Sequence, residues 1–120
     1  MECVVEYTDE FGGWWSTLTE EQKIDVAAVI NLLEVKGTNL DFPYSSGLHG
    51  SYYSHMRELR VQSSGNPLRI LYAFDPRRVA ILLIGDNKRS NKRWYDRYIK
   101  IADKLYKDHL EQLKRENLIP

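Results

Sequence analysis

Cysteine is almost missing from this chain. Cys3 stands alone, so no internal disulfide can form and the cross-linked framework of small secreted domains is excluded. Histidine is scarce and scattered, at 49, 55 and 109, with no H-E-x-x-H and no paired cysteines, which leaves no metal-ligand pattern. No G-x-G-x-x-G, P-loop, G-x-S-x-G elbow or internal repeat is present, so neither a nucleotide cofactor nor a serine nucleophile is expected. Apolar runs are short as well: Val79–Ile84 falls far below the roughly 18 residues a membrane-spanning helix needs. No charged n-region followed by an apolar h-region opens the chain, and a cytoplasmic protein with no membrane partner is expected. Any chemistry must come from side chains alone, with no cofactor and no metal.

Net charge is also absent, but only as an average. Residues 1–55 carry two basic and nine acidic side chains, whereas residues 56–115 carry fifteen basic and seven acidic ones. A small domain with a basic half suits a polyanionic partner, because Lys and Arg that neutralise phosphates release condensed counterions. The competing reading is an ordinary surface with segregated charge. At 120 residues the chain is expected to form one domain, 1–120, with a core large enough to need no covalent staple.

Glu2–Tyr7 alternates and is β-branched, predicting a strand, and Thr8 offers an N-cap to a short helix through Phe11 and Trp15. Thr19 with Gln22 makes a capping box for a helix over 19–36, which places Ile24, Ala27, Ala28, Ile30, Leu33 and Val35 at helical spacing until Gly37. Gly37–Gly50 reads as a connecting loop. Met56–Gln62, Leu68–Phe74 and Val79–Gly85 read as strands joined by the turn sequences Ser64-Gly65-Asn66-Pro67 and Asp75-Pro76-Arg77-Arg78, hence an antiparallel meander. A last helix over Asn91–Glu116 supplies cover with Tyr95, Tyr98, Ala102 and Leu105. The fold class is α+β, in the order β-α-α-β-β-β-α, with helices packed on the sheet.

Period-two alternation puts Glu58, Arg60 and Gln62 on one face of the first meander strand and Arg57, Leu59 and Val61 on the other. Arg69 opens the next strand among apolar residues, where a long cation needs an open cleft. The segment Gly85-Asp86-Asn87-Lys88-Arg89-Ser90-Asn91-Lys92-Arg93-Trp94-Tyr95 combines cations with aromatics. That mixture suits RNA: the cations hold phosphates, and a ring stacks on an unpaired base. One of Trp94 and Tyr95 is expected in the core and the other at the surface. Arg93, Arg97, Lys100, Lys104 and Lys107 share a helix face, and Asp96–Lys100, Asp103–Lys107 and Glu111–Arg115 are spaced as i,i+4 pairs of an ordinary solvated surface.

The strings Met56-Arg57-Glu58-Leu59-Arg60-Val61 and Leu68-Arg69-Ile70-Leu71-Tyr72-Ala73-Phe74, then the apolar strand running into Gly85-Asp86-Asn87-Lys88-Arg89, resemble the RelE/HigB toxin superfamily. The resemblance is to its phage-derived Gp49-like, HigB-type branch, and it extends to Thr8-Asp9-Glu10-Phe11, Trp14-Trp15 and Leu48-His49-Gly50. It implies a RelE-like fold and the toxin of a type II toxin-antitoxin pair, a ribosome-dependent, metal-independent endoribonuclease acting on mRNA. It also implies a cognate antitoxin, expected to be of helix-turn-helix type. Carried over by residue, Arg60, Arg69, Lys88, Arg89 and Tyr95 are the catalytic candidates, and the basic and aromatic residues around them add Arg57, Lys92, Arg93, Trp94 and Arg97 as RNA-binding candidates. Arg60 and Arg69 would clamp the phosphate, Lys88 would exchange protons, and Tyr95 would stack or donate one; Glu58 and Asp86 are candidate bases. The chain departs from many relatives in having Asp86-Asn87 ahead of Lys88-Arg89, where they have glycine, an aromatic or aliphatic residue and paired lysines. Two other readings stand beside this one: a ParE-like toxin acting on DNA gyrase, and a phage-derived binding protein that has lost catalysis.

Overall fold

The computed structural model describes residues 3–88 and 92–120. The expected strand start at Glu2, the helix start at Asn91 and the candidate Arg89 lie outside the described residues. The order is β1 (Val5–Tyr7), α1 (Asp9–Ser16), α2 (Glu20–Lys36), a single 3₁₀ turn (Gly37–Asn39), β2 (Ser45–Gly47), β3 (Arg57–Ser63), β4 (Asn66–Phe74), β5 (Ala80–Asn87) and α3 (Lys92–Arg115).

Local chemistry explains most boundaries. Thr8 caps α1 by accepting from Phe11 N at 3.0 Å, and its hydroxyl donates to Leu83 O at 2.7 Å, tying the helix start to β5. Thr19 and Gln22 form the reciprocal capping box of α2, at 3.0 and 3.1 Å. Ser64 and Gly65, at φ 51° and 81°, form a two-residue turn between Ser63 and Asn66, whose left-handed backbone matches the twist of the strands it joins.

The five strands form one sheet in the order β1-β5-β4-β3-β2. The meander of β3, β4 and β5 is antiparallel as expected, but β1 joins β5 in parallel, with Val5 opposite Ala80. The stretch expected to be a plain loop contains β2, which pairs antiparallel with β3. A bulge between Leu71 and Tyr72 lets both Leu83 and Ile84 face the α3 side.

Each sheet face has its own core. On one face Leu59, Ile70 and Leu82 pack with Phe11 of α1 and Val26 and Leu33 of α2. On the other, Met56, Leu71 and Leu83 pack with Trp94, Ala102 and Tyr106 of α3. The two acidic-start helices therefore cover the face opposite the basic helix. In α2 the buried stripe is Val26, Val29 and Leu33, whereas Ile24 and Val35 of the expected stripe are exposed. Apolar residues surround most of that helix, so spacing alone did not select the face. Trp14 of α1 lies directly over Gly85 of β5: a Cβ there would sit 2.7 Å from Trp14 Cδ2. Among the described residues no helix is long and apolar enough to cross a membrane.

Candidate active site

The α3-facing side of the sheet changes character toward the β3–β4 turn. Met56, Leu71 and Leu83 are apolar, but the next positions on that face are Glu58, Arg60 and Arg69, with Asp86 directly across from Arg69. Arg60 and Arg69 are themselves cross-strand partners. Two guanidinium groups placed opposite each other repel unless a carboxylate lies between them. Glu58 provides it, two residues from Arg60 on the same face.

Glu58 is 4% exposed and is the hub of the cluster. Its Oε1 accepts the Tyr95 hydroxyl at 2.8 Å and lies 3.7 Å from Arg69 Nε. Its Oε2 accepts the Ser46 hydroxyl at 2.8 Å and Arg60 Nη1 at 3.4 Å. Arg69 is equally buried and uses Nη1 on Leu68 O at 3.0 Å. Among the described residues its Nε is buried without a hydrogen-bond partner. A buried donor left unsatisfied is costly, so this part of Arg69 depends on the charge of Glu58 and on the surrounding packing to stay buried.

Lys88 continues β5 by donating its backbone N–H to Pro67 O at 2.9 Å, and its ammonium lies 5.2 Å from the centre of the Tyr95 ring. Burial raises the Tyr95 phenol above the ordinary tyrosine range, and the Glu58 carboxylate pushes the same way against the opposing Arg69 charge. Tyr95 is thus a neutral hydroxyl at physiological pH, able to donate a proton but not to act as a phenolate base.

Four of the expected catalytic residues, Arg60, Arg69, Lys88 and Tyr95, converge here together with Glu58. The two-guanidinium clamp is not assembled, however: Arg69 is buried behind Glu58, and Arg60 is the more accessible cation, its side chain 28% exposed against 6%. Arg57 lies on the opposite face, where its Nε donates to Ser45 Oγ at 3.0 Å. Trp94, expected on RNA, is 4% exposed, stacks on Tyr98 at 4.7 Å and directs Nε1 toward Asp86 Oδ2 at 3.4 Å. It is a core ring, and Tyr95 is the aromatic turned to the site. Lys92, Arg93 and Arg97 are exposed on the first turns of α3, with Arg97 over the Tyr98 ring. Farther along, Asp103 accepts from Ser51 Oγ and Tyr52 N and so braces a loop instead of serving the expected Lys107 pair.

Ser46 escaped sequence reasoning because a Ser-Ser-Gly stretch carries no strand signal. Only its pairing with β3 places its hydroxyl beside Glu58. A larger groove, about 660 Å³, lies at the other end of the strands, but in its lining the carboxylates of Glu6, Asp9, Glu10, Asp108 and Glu116 outnumber Arg77 and Arg115, which disfavours a polyanion. Beside it Asp75, with its side chain fully buried, accepts from Arg77 and His109 at 2.8 and 2.9 Å. Burial alone would raise the Asp75 carboxyl, but these bonds and two backbone N–H groups outweigh it and hold it below the usual range.

A protein of Mycobacterium tuberculosis (strain ATCC 25618 / H37Rv) named as toxin HigB3 is 44% identical over 91 residues, covering 75% of this chain and 78% of its own. A second from the same organism, named as toxin HigB2, is 39% identical over 108 residues, covering 88% of this chain; the chain spans about half, 54%, of that relative. Residues 13–107 match the family described as phage-derived protein Gp49-like (DUF891), a span that includes every described site residue, and the chain belongs to this Gp49-like family, in its HigB-type branch.

Proposed function

We propose that the chain is the toxin of a toxin-antitoxin pair and that it cleaves mRNA on the ribosome in the cytoplasm, without metal. The observation that carries this reading is the buried Glu58 carboxylate, braced by two guanidinium groups and touching the neutral Tyr95 hydroxyl at 2.8 Å. A carboxylate and a phenol in contact, with cations around them, supply a base, an acid and charge stabilisation within one small site.

In this mechanism the 2′-hydroxyl of the RNA replaces the Tyr95 hydroxyl at Glu58 Oε1. Glu58 takes its proton as the 2′-oxygen attacks the adjacent phosphorus. The bond from phosphorus to the 5′-oxygen breaks, and that oxygen takes a proton from the released Tyr95 hydroxyl. The products are a 2′,3′-cyclic phosphate and a 5′-hydroxyl. Arg60 and Lys88 stabilise charge on the phosphoryl oxygens, while Arg69 lies 3.7 Å behind Glu58 as its buried counter-charge. Arg93, Lys92 and Arg97 add sequence-independent attraction to RNA. A helix-turn-helix antitoxin would neutralise the protein by covering this basic face.

The test is a translating extract with a reporter mRNA. Cleavage bearing cyclic-phosphate ends, lost in Glu58→Gln, supports the reading. An intact message together with failed supercoiling by gyrase would instead identify a ParE-like mode of action. An intact message with undisturbed gyrase would leave a binding protein without catalysis.

A further inference from the structure

Phe42 is a large apolar side chain left 68% exposed beside a site whose central carboxylate is buried. One of its faces is covered: the Arg60 guanidinium carbon lies 5.1 Å from the ring centre. The same guanidinium reaches Glu58 Oε2 at 3.4 Å, so a single side chain joins the exposed ring to the candidate reaction centre. The backbone that carries the ring is hydrogen-bonded in place. Phe42 N donates to its neighbour Asp41 Oδ1 at 2.8 Å, Tyr44 N and Ser45 N donate to Asp41 O, and Arg60 N donates to Tyr44 O at 2.9 Å. Half-exposed Tyr44 adds a second ring, and Pro43, Tyr44, Arg60 and Arg69 share in lining a groove of about 340 Å³ whose far wall is Asp25, Ala28 and Val29 of α2.

We infer that Phe42 is a stacking platform for an unpaired nucleobase of the RNA strand, set one side chain away from the cleavage position by Arg60. The inference rests on the nuclease reading above and deepens it by assigning a base-binding subsite to the same site. A ring backed by a guanidinium on one side and open on the other is a surface on which any base can lie, because every base offers a π-face. Arg60 then serves two neighbours of one nucleotide step, the base through the ring it braces and the phosphate through its charge. Charge complementarity favours an RNA occupant over an apolar peptide, since the covered face of the ring carries the Arg60 guanidinium. Phe42 acts by binding, so its loss raises KM and leaves kcat in place.

The experiment uses a single-stranded 2′-O-methyl oligonucleotide, which cannot be cleaved through its 2′-oxygen, carrying 2-aminopurine as the stacking reporter. Wild-type protein should quench it. Phe42→Ala should weaken binding by about 5- to 150-fold, the range expected for one stacked base, and Phe42→Trp should restore it. Equal affinity of wild type and Phe42→Ala, or no binding by wild type, would overturn the platform. Antitoxin capture lost in Phe42→Ala with oligonucleotide binding unchanged would overturn it in favour of a protein contact. Reporter cleavage separates the two readings. Wild-type cleavage matched by Phe42→Ala at every mRNA concentration removes the platform and leaves the nuclease. An uncut reporter with Phe42-dependent quenching removes the nuclease and leaves the platform.

Discussion

Replacing Glu58 by Gln tests how the charge cluster is held together, separately from any activity. The substitution keeps the shape and leaves an amide that can still serve Ser46 and Tyr95. It removes the negative charge that lies 3.7 Å from Arg69 Nε and 3.4 Å from Arg60 Nη1. Arg60 is partly hydrated and can turn outward. Arg69 cannot, because it is 5% exposed and enclosed by the sheet and α3. Removing one partner of a buried ion pair costs about 3–5 kcal/mol, and the lower end applies here because the two neutral hydrogen bonds survive. With a urea dependence of about 1–3 kcal/mol per molar, the unfolding midpoint should fall by roughly 1 M or more. The paired change Glu58→Gln with Arg69→Met removes both charges, keeps the amide for Ser46 and Tyr95, and should return most of the loss, since an apolar group in place of Arg69 needs no counter-ion. A Glu58→Gln midpoint within about 0.3 M of wild type, or a double variant no better than the single one, would refute the argument.

Gly85→Ala should destabilise by about 1–3 kcal/mol, because the added methyl meets the Trp14 ring, and near-UV circular dichroism should show the tryptophan displaced. Tyr95→Phe should slow reporter cleavage about 10²- to 10⁴-fold if the phenol is the acid, with melting little changed. Because the folded Tyr95 pKa is raised, its proton should be retained past the ordinary tyrosine range, and wild-type cleavage should show no tyrosine-linked loss near pH 10. Asp75 has a depressed folded pKa, so its stabilisation is complete above the unfolded carboxyl value of about 3.9 and disappears as pH falls through the lower folded value. Asp75→Asn should therefore cost most at neutral pH and least in acid, which denaturation across pH 2 to 7 would reveal.

Signals confined to a few neighbouring residues were the ones that sequence carried well. The Thr19–Gln22 capping box and the three meander strands are local chemistry, and each reappears at nearly its expected position, whereas the turn expected over Ser64-Gly65-Asn66-Pro67 is completed by Ser64-Gly65 and Asn66 already opens β4. What depended on distant partners was not legible. β2 exists because Ser45, Ser46 and Gly47 meet Leu59, Glu58 and Arg57, not because of its own composition. The parallel partner of β1 was hidden for the same reason. Within the site, alternation placed Glu58 with Arg60 on one face and Arg57 on the other, as the strand shows. It could not show that α3 would bury Glu58 and Arg69 or that Phe42 would stand under Arg60, since both follow from tertiary packing.

The tie between β1 and β5 also bears on the order in which the molecule can form. Thr8 and its acceptor Leu83 are 75 residues apart, whereas β3, β4 and β5 follow one another through short turns. Closing so long a loop costs entropy before any contact repays it, so the meander has the kinetic advantage and β1 docks late. During synthesis the first strand emerges long before its partner exists. The charged pocket around Glu58 must wait as well, because Tyr95 arrives only with α3. The Glu58 cluster would therefore stay incomplete until nearly all of the chain has been made.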